Sequence, residues 1–126
     1  MAAAWPSLRD LVPDFLGRAY AEDECWLLVM DLIRAGGLVP PHAEPAAVIR
    51  EAKEVWWQDD PRDPLTLVQP WDWWLMRRFG PAVGHVGLVV DQTYVVHLRP
   101  TAGVCLEPLR RSRARLLQIA RLACVW

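Results

Sequence analysis

An excess of charge of one sign, paired cysteines and long apolar runs are all missing from this 126-residue chain. Its 14 basic and 15 acidic side chains leave a formal net charge of -1. Binding to a phosphate backbone needs a clear basic excess, so nucleic acid is not an expected partner. The three cysteines, Cys25, Cys105 and Cys124, stand far apart with no C-x-x-C spacing. That argues against a disulfide framework and against a zinc site, and no metal or cofactor is expected. No run approaches the roughly 20 apolar residues of a membrane span. The first residues, Met-Ala-Ala-Ala-Trp-Pro, lack the charged and long apolar regions of a signal peptide. The expectation is a protein made in a reducing cytoplasm and kept there or carried out inside a larger particle.

What is present is apolar: 53% hydrophobic against 23% charged residues, which argues against disorder. The length predicts one domain, residues 1–126, able to bury a core without staples. Eight tryptophans are the oddest feature. Trp56, Trp57, Trp71, Trp73 and Trp74 fall close together, either as core or as a partner surface, since Trp is enriched at interface anchors. Neighbours on a strand face opposite ways, so one of Trp73 and Trp74 is expected to be exposed or covered by another protein.

Residues 7–19 read as a short helix interrupted near Pro13 and stopped at Gly17. Cys25 to Ala35 is the clearest helix, with Cys25, Leu28, Val29, Leu32 and Ile33 on one face. Glu22, Asp23 and Glu24 supply its N-cap and first acids, and Gly36-Gly37 ends it. Pro45 to Gln58 reads as another helix with proline at its first position. Beyond the turn cluster at 59–64 the period changes to two. Strands are expected at Trp71–Arg77, His85–Val90, Tyr94–Leu98 and Val104–Leu106. Arg110 to Arg115 is a basic stretch, and the periodicity of Leu116–Trp126 does not decide between helix and strand. Helices followed by an antiparallel meander predict an α+β fold.

A cysteine acts as a nucleophile only when it is a thiolate, and a helix N-terminus favours that anion. Cys25 has this position, so it is the thiol expected to react fastest. The acids before it work the other way, and a histidine is the usual partner to take the proton. His42 lies in a proline-rich loop and reads as solvated. His85 and His97 flank a hairpin, so His85 can serve as base and His97 can orient its ring. A two-residue turn at Asp91-Gln92 would put the two rings on opposite faces. A three-residue turn through Thr93 sets His97 opposite Gly87, on the face of His85. The catalytic reading requires the second register, with Cys25 close to His85. The plain alternative is that Cys25 is core and the histidines are surface or satisfied core residues.

Together these residues resemble the NlpC/P60 cysteine peptidases, in their small phage-tail type. Glu24-Cys25-Trp26-Leu27-Leu28-Val29 is similar to the family's Asp-Cys-Ser/Trp-Gly-Leu-Val signature. Gly17-Arg18-Ala19-Tyr20 resembles the upstream Gly-x-Pro-Tyr element, and Trp71-Asp72 the Gly-Asp that opens a strand. Gly84-His85-Val86-Gly87-Leu88 with Val96-His97 is similar to the His-Val-Gly-Ile signature and its second histidine. The resemblance spans about residues 8–110 in order. Glu24, Leu27, Trp71 and the Ala21-Glu22-Asp23 run depart from it.

The resemblance implies a papain-like fold, with Cys25 as nucleophile, His85 as base, His97 as the third polar residue and Tyr20 near the oxyanion position. It implies hydrolysis of peptide stems or cross-bridges of bacterial cell wall, by a protein made in a host cytoplasm and then carried in a virion tail. Other tail-tip proteins would dock through Trp71, Trp73, Trp74 and the Arg110–Arg115 stretch. The alternatives are a structural tail-assembly protein with little activity and, more remotely, an acyltransferase.

Overall fold

The structure is a computed structural model that describes residues 7–21, 23–78 and 82–122. Cys124 lies outside the described residues. The chain forms α1 (Leu8–Phe15), α2 (Cys25–Ala35), α3 (Pro45–Glu51), β1 (Ala52–Trp57), β2 (Trp73–Arg77), β3 (Val83–Val89), β4 (Tyr94–Arg99), β5 (Gly103–Pro108), α4 (Leu109–Ser112) and β6 (Leu116–Leu122). The architecture is α+β. One six-stranded sheet runs in the order β1-β6-β2-β3-β4-β5, with every neighbouring pair antiparallel.

The helical layer forms as expected at α2, which ends where Gly37 takes a left-handed φ of 72°. Two details differ. α1 runs through Pro13 to Phe15 rather than breaking there. Glu24 is the N-cap of α2, yet its carboxylate turns back to accept from the Ala21 N–H at 2.5 Å instead of capping the helix.

The expected helix over 45–58 stops at Glu51. Lys53 to Trp57 instead pairs with β6 as the edge strand β1. Val55, Trp56 and Trp57 favour a pleated surface, and pairing with β6 overrides a helical start. β6 itself returns to the middle of the sheet, between β1 and β2, so the sheet is more than a meander. Apart from Gln118 and Arg121 its residues are apolar, on both faces, which hides the period of two.

The two faces of the sheet are covered by different layers, and this decides where every side chain of interest points. On one face, α1 and α2 pack on Trp73, Leu75, Val86, Leu88, Val96 and Leu98. Trp26 of α2 meets Trp73 edge to face, with ring centroids 5.4 Å apart. On the other face Trp74, Met76, Val89, Val95 and Ile119 are covered by Trp56, Val68 and Leu109. Trp73 and Trp74 do face opposite ways, but both are buried within the chain, at 2% and 0% exposure. Trp71 is buried as well. None of the three forms a docking surface: Trp71 and Trp73 lie under the helices, and Trp74 lies under the 64–68 segment and α4, a second cover that sequence alone did not reveal.

Trp71 occupies the place where the resembling family has glycine, and it has a φ of 76°. That left-handed conformation costs a non-glycine residue about 1–3 kcal/mol, offset here by burial of the indole. Room for the ring comes from Gly36. A Cβ at Gly36 would lie 2.6 Å from Cη2 of Trp71. The next residue, Asp72, is fully buried and holds β2 to β6. Its carboxylate accepts from Arg121 Nε at 2.8 Å and Nη2 at 2.9 Å, and from the Gln69 N–H at 2.9 Å.

Candidate active site

The hairpin between β3 and β4 has the three-residue turn that the catalytic reading requires. Leu88 pairs with Val96 and Val89 with Val95. The Asp91 carboxylate builds the turn by accepting from the Thr93 and Tyr94 N–H groups at 2.7 and 2.9 Å. Continued by two residues, this register sets His97 opposite Gly87 and on the face of His85. Gly87 is needed there: a Cβ would come within 2.8 Å of the Val96 carbonyl and 2.9 Å of the His97 Cβ.

The rings meet. His85 Nε2 and His97 Nδ1 are 2.8 Å apart, with ring planes inclined at 68°. His97 Nε2 points toward Glu107 on β5, 3.4 Å from its Oε1. The contact does not complete a hydrogen bond, and the nitrogen has no hydrogen-bond partner. Glu107 is buried and is gripped by Arg115 at 2.6 Å. Sequence reasoning missed Glu107, although its place on a strand adjacent to His97 follows from the β4–β5 register, which pairs His97 with Cys105 two residues before it.

The position of the carboxylate favours one pair of tautomers. A proton on His97 Nε2 faces Glu107 favourably, which leaves Nδ1 with a lone pair. His85 must then donate from Nε2, and its Nδ1 is left as a bare acceptor. The other arrangement would aim a lone pair at a carboxylate. Both imidazoles are pushed down to about 4 and are neutral at pH 7. For His85 the causes are burial, then His97, Arg78 and Arg115, against Glu107. For His97 they are burial, then Arg115 and Arg99.

A pH dependence of stability follows. Unfolded, each imidazole titrates near 6.5; folded, near 4. Between these values the unfolded chain binds more protons. The stability held in the pair is therefore complete above pH 6.5 and is lost as pH falls toward 4. Urea midpoints measured from pH 7 to pH 4 should drop steeply for the wild type and less for the His85→Gln/His97→Gln double variant. Parallel curves would contradict the buried neutral pair.

The pair lines an open cavity of about 360 Å³ whose other walls are Arg77, Arg78, Leu98, Arg99, Pro100 and Arg115.

Cys25 is not brought to this cavity. It begins α2, is 4% exposed and belongs to the core layer between the helices and the sheet. The histidines point from the other face, the side of Val89 and Val95. The expected approach of Cys25 to His85 is thus replaced by separation across the sheet, because Val86 and Leu88, not His85 and Gly87, face α2. Tyr20 stays with the helices too. Its hydroxyl donates to Asp31 of α2 at 2.8 Å, and burial and that carboxylate push it up to about 12. It is placed to brace the loop onto α2 rather than to meet a substrate at the histidines.

The thiol on the histidines' face is Cys105, which is partly exposed. Burial pushes its thiol up. Exposure outweighs position here, so the expected order of reaction reverses: iodoacetamide at pH 8.5 should label Cys105 ahead of Cys25 in the folded protein. Peptide mapping that finds Cys25 labelled first would contradict this burial.

Of the basic stretch, Arg110, Arg111 and Arg113 are exposed, while Arg115 turns to Glu107. Among the described residues no group of His, Cys, Asp and Glu side chains is placed to hold a metal ion, and no helix is long and apolar enough to cross a membrane. The chain matches no protein-family model and no curated protein.

Proposed function

We propose that this chain is an amide hydrolase of bacterial cell-wall peptides, similar to the NlpC/P60 enzymes and carried in a phage tail tip. The observation that supports it is the 2.8 Å His85–His97 contact at the wall of an open cavity. A buried pair of neutral imidazoles backed by a carboxylate has a clear use in proton transfer, and it falls on the two histidines of the family signature. His85 Nδ1 takes the proton of a cysteine thiol as its sulfur bonds to the amide carbonyl carbon. Glu107 stabilises the imidazolium that forms, and His97 holds the ring in place through its contact with Nε2. His85 then returns the proton to the leaving amine as the C–N bond breaks and leaves a thioester. Water gives a proton to His85 as its oxygen bonds to the thioester carbon, and the C–S bond breaks to release the carboxylic acid and return the proton to the thiol.

The separation of Cys25 from the pair favours a second reading, a tail-assembly protein that keeps the fold without thiol chemistry. Exposed Arg110, Arg111 and Arg113 would then be its docking groups. Digestion of purified muropeptides, read by mass spectrometry, separates the readings. The wild type should release new amine and carboxyl ends, and His85→Ala should not. Activity that survives in Cys105→Ala but not in Cys25→Ala makes Cys25 the nucleophile, which requires the first turn of α2 to reach the cavity. The opposite pattern assigns Cys105. No cleavage by the wild type overturns the hydrolase and leaves the assembly reading.

A further inference from the structure

One oxygen of Glu107 stands between two donors. Its Oε1 lies 2.6 Å from Arg115 Nη2 and 3.4 Å from His97 Nε2. The shorter contact is the charge-assisted one, and the buried His97 nitrogen is left without a hydrogen-bond partner. A guanidinium is charged at every working pH, whereas the His97 ring is neutral at pH 7, so the carboxylate stays with the arginine. The two donors also differ in setting. His97 is locked in the sheet at 2% exposure. The Arg115 side chain is 45% exposed and stands on the short Arg113–Arg115 turn that leads into β6. His97 in turn meets His85 at 2.8 Å. Arg115 is thus connected to the base at the cavity wall through Glu107 and His97.

We propose that Arg115 is a positioning residue: it holds Glu107 short of His97 and so governs how readily His85 takes up a proton at the cavity wall. The role rests on the hydrolase reading for its use, while its effect on the rings needs no substrate. A proton arriving at His85 Nδ1 makes the pair cationic. With Arg115 in place, Glu107 can close on His97 only by giving up its stronger contact. Without Arg115, the carboxylate completes the bond to His97 Nε2 and stabilises the charged pair. The other groups facing the pair stay as they are. Arg78, after β2, opposes the charge on His85, and Arg99, at the end of β4, opposes it on His97. Arg77 shares the cavity wall, and Cys105 pairs across from His97 on β5. Glu107 alone among these groups favours the proton on His85, so its position decides the balance.

The test follows the His85 and His97 rings of the full chain by NMR in the wild type, Arg115→Gln and Arg99→Gln. At pH 7 the His97 Nε2–H signal of Arg115→Gln should move downfield as the bond to Glu107 closes. Titrated from pH 7 toward pH 4, the same variant should bind the pair's first proton about tenfold more tightly than the wild type. Arg99→Gln removes a cavity charge without freeing Glu107, so its His97 Nε2–H signal should stay in place and its gain in proton affinity should be smaller. An Arg115→Gln variant with an unmoved Nε2–H signal, or with a gain no larger than that of Arg99→Gln, overturns the proposal. The pH 7 arm keeps the test decisive if the variant unfolds in acid. Failure of this role is distinguishable from failure of the hydrolase. Shifted rings without muropeptide cleavage remove only the enzyme, and cleavage with unmoved rings removes only the role of Arg115.

Discussion

Alanine at His85 should lower muropeptide hydrolysis by roughly 10²–10⁴-fold, the usual worth of a positioned acid-base group. The backbone should tolerate the change, because His85 is only half-buried and lines a cavity rather than the core. Glutamine at His97 should cost much less. Its amide oxygen can accept from His85 Nε2 while its NH₂ faces Glu107, so both contacts that set the His85 tautomer survive. The measurement is the initial cleavage rate of each variant at pH 7. Equal loss in both would mean that His97 does more than orient, and equal retention would remove His85 from the chemistry.

The largest expected loss of stability is at Asp72. Alanine there deletes two charge-assisted bonds to Arg121 and one from the Gln69 N–H, and leaves a guanidinium without its counter-charge. Breaking a buried pair costs about 3–5 kcal/mol. The low end, about 3 kcal/mol, is expected because the Arg121 side chain keeps 31% of its exposure. Urea denaturation should show a lower midpoint with an unchanged slope. Asp72→Leu/Arg121→Leu should recover much of the loss, since removing both charges also removes the desolvation that the pair must offset. A single variant within 0.5 kcal/mol of the wild type would show that the pair holds β2 and β6 only weakly.

The hairpin was the most legible part of the molecule. Alternation of Val86, Leu88 and Val90 placed the strands, and the turn at Asp91-Gln92-Thr93 left two registers, of which the catalytic reading required the three-residue one that the structure has. α2 was legible for the same reason, a single apolar face closed by Gly36-Gly37. Long-range features were not. Ala52–Trp57 becomes a strand because β6 lies beside it, and β6 carries apolar residues on both faces, broken only by Gln118 and Arg121. The helices hide Trp73 from solvent, and the second cover hides Trp74. The face on which α2 lands depends on packing of Trp26 against Trp73, which no spacing encodes, and this is why Cys25 ends on the far side from His85. Glu107 and the four arginines meet only after the sheet closes.

The claim on which the account turns is that His85 presents a bare Nδ1 to the cavity, with Glu107 setting the tautomers through His97. Two-dimensional ¹⁵N–¹H correlation of the imidazole rings at pH 7 reads this directly. Both His85 and His97 should show a protonated Nε2 and an unprotonated Nδ1, and Glu107→Gln should erode that preference. A proton found on His85 Nδ1, with Nε2 bare, would contradict the account, because the group turned to the cavity would then be a donor and not a base.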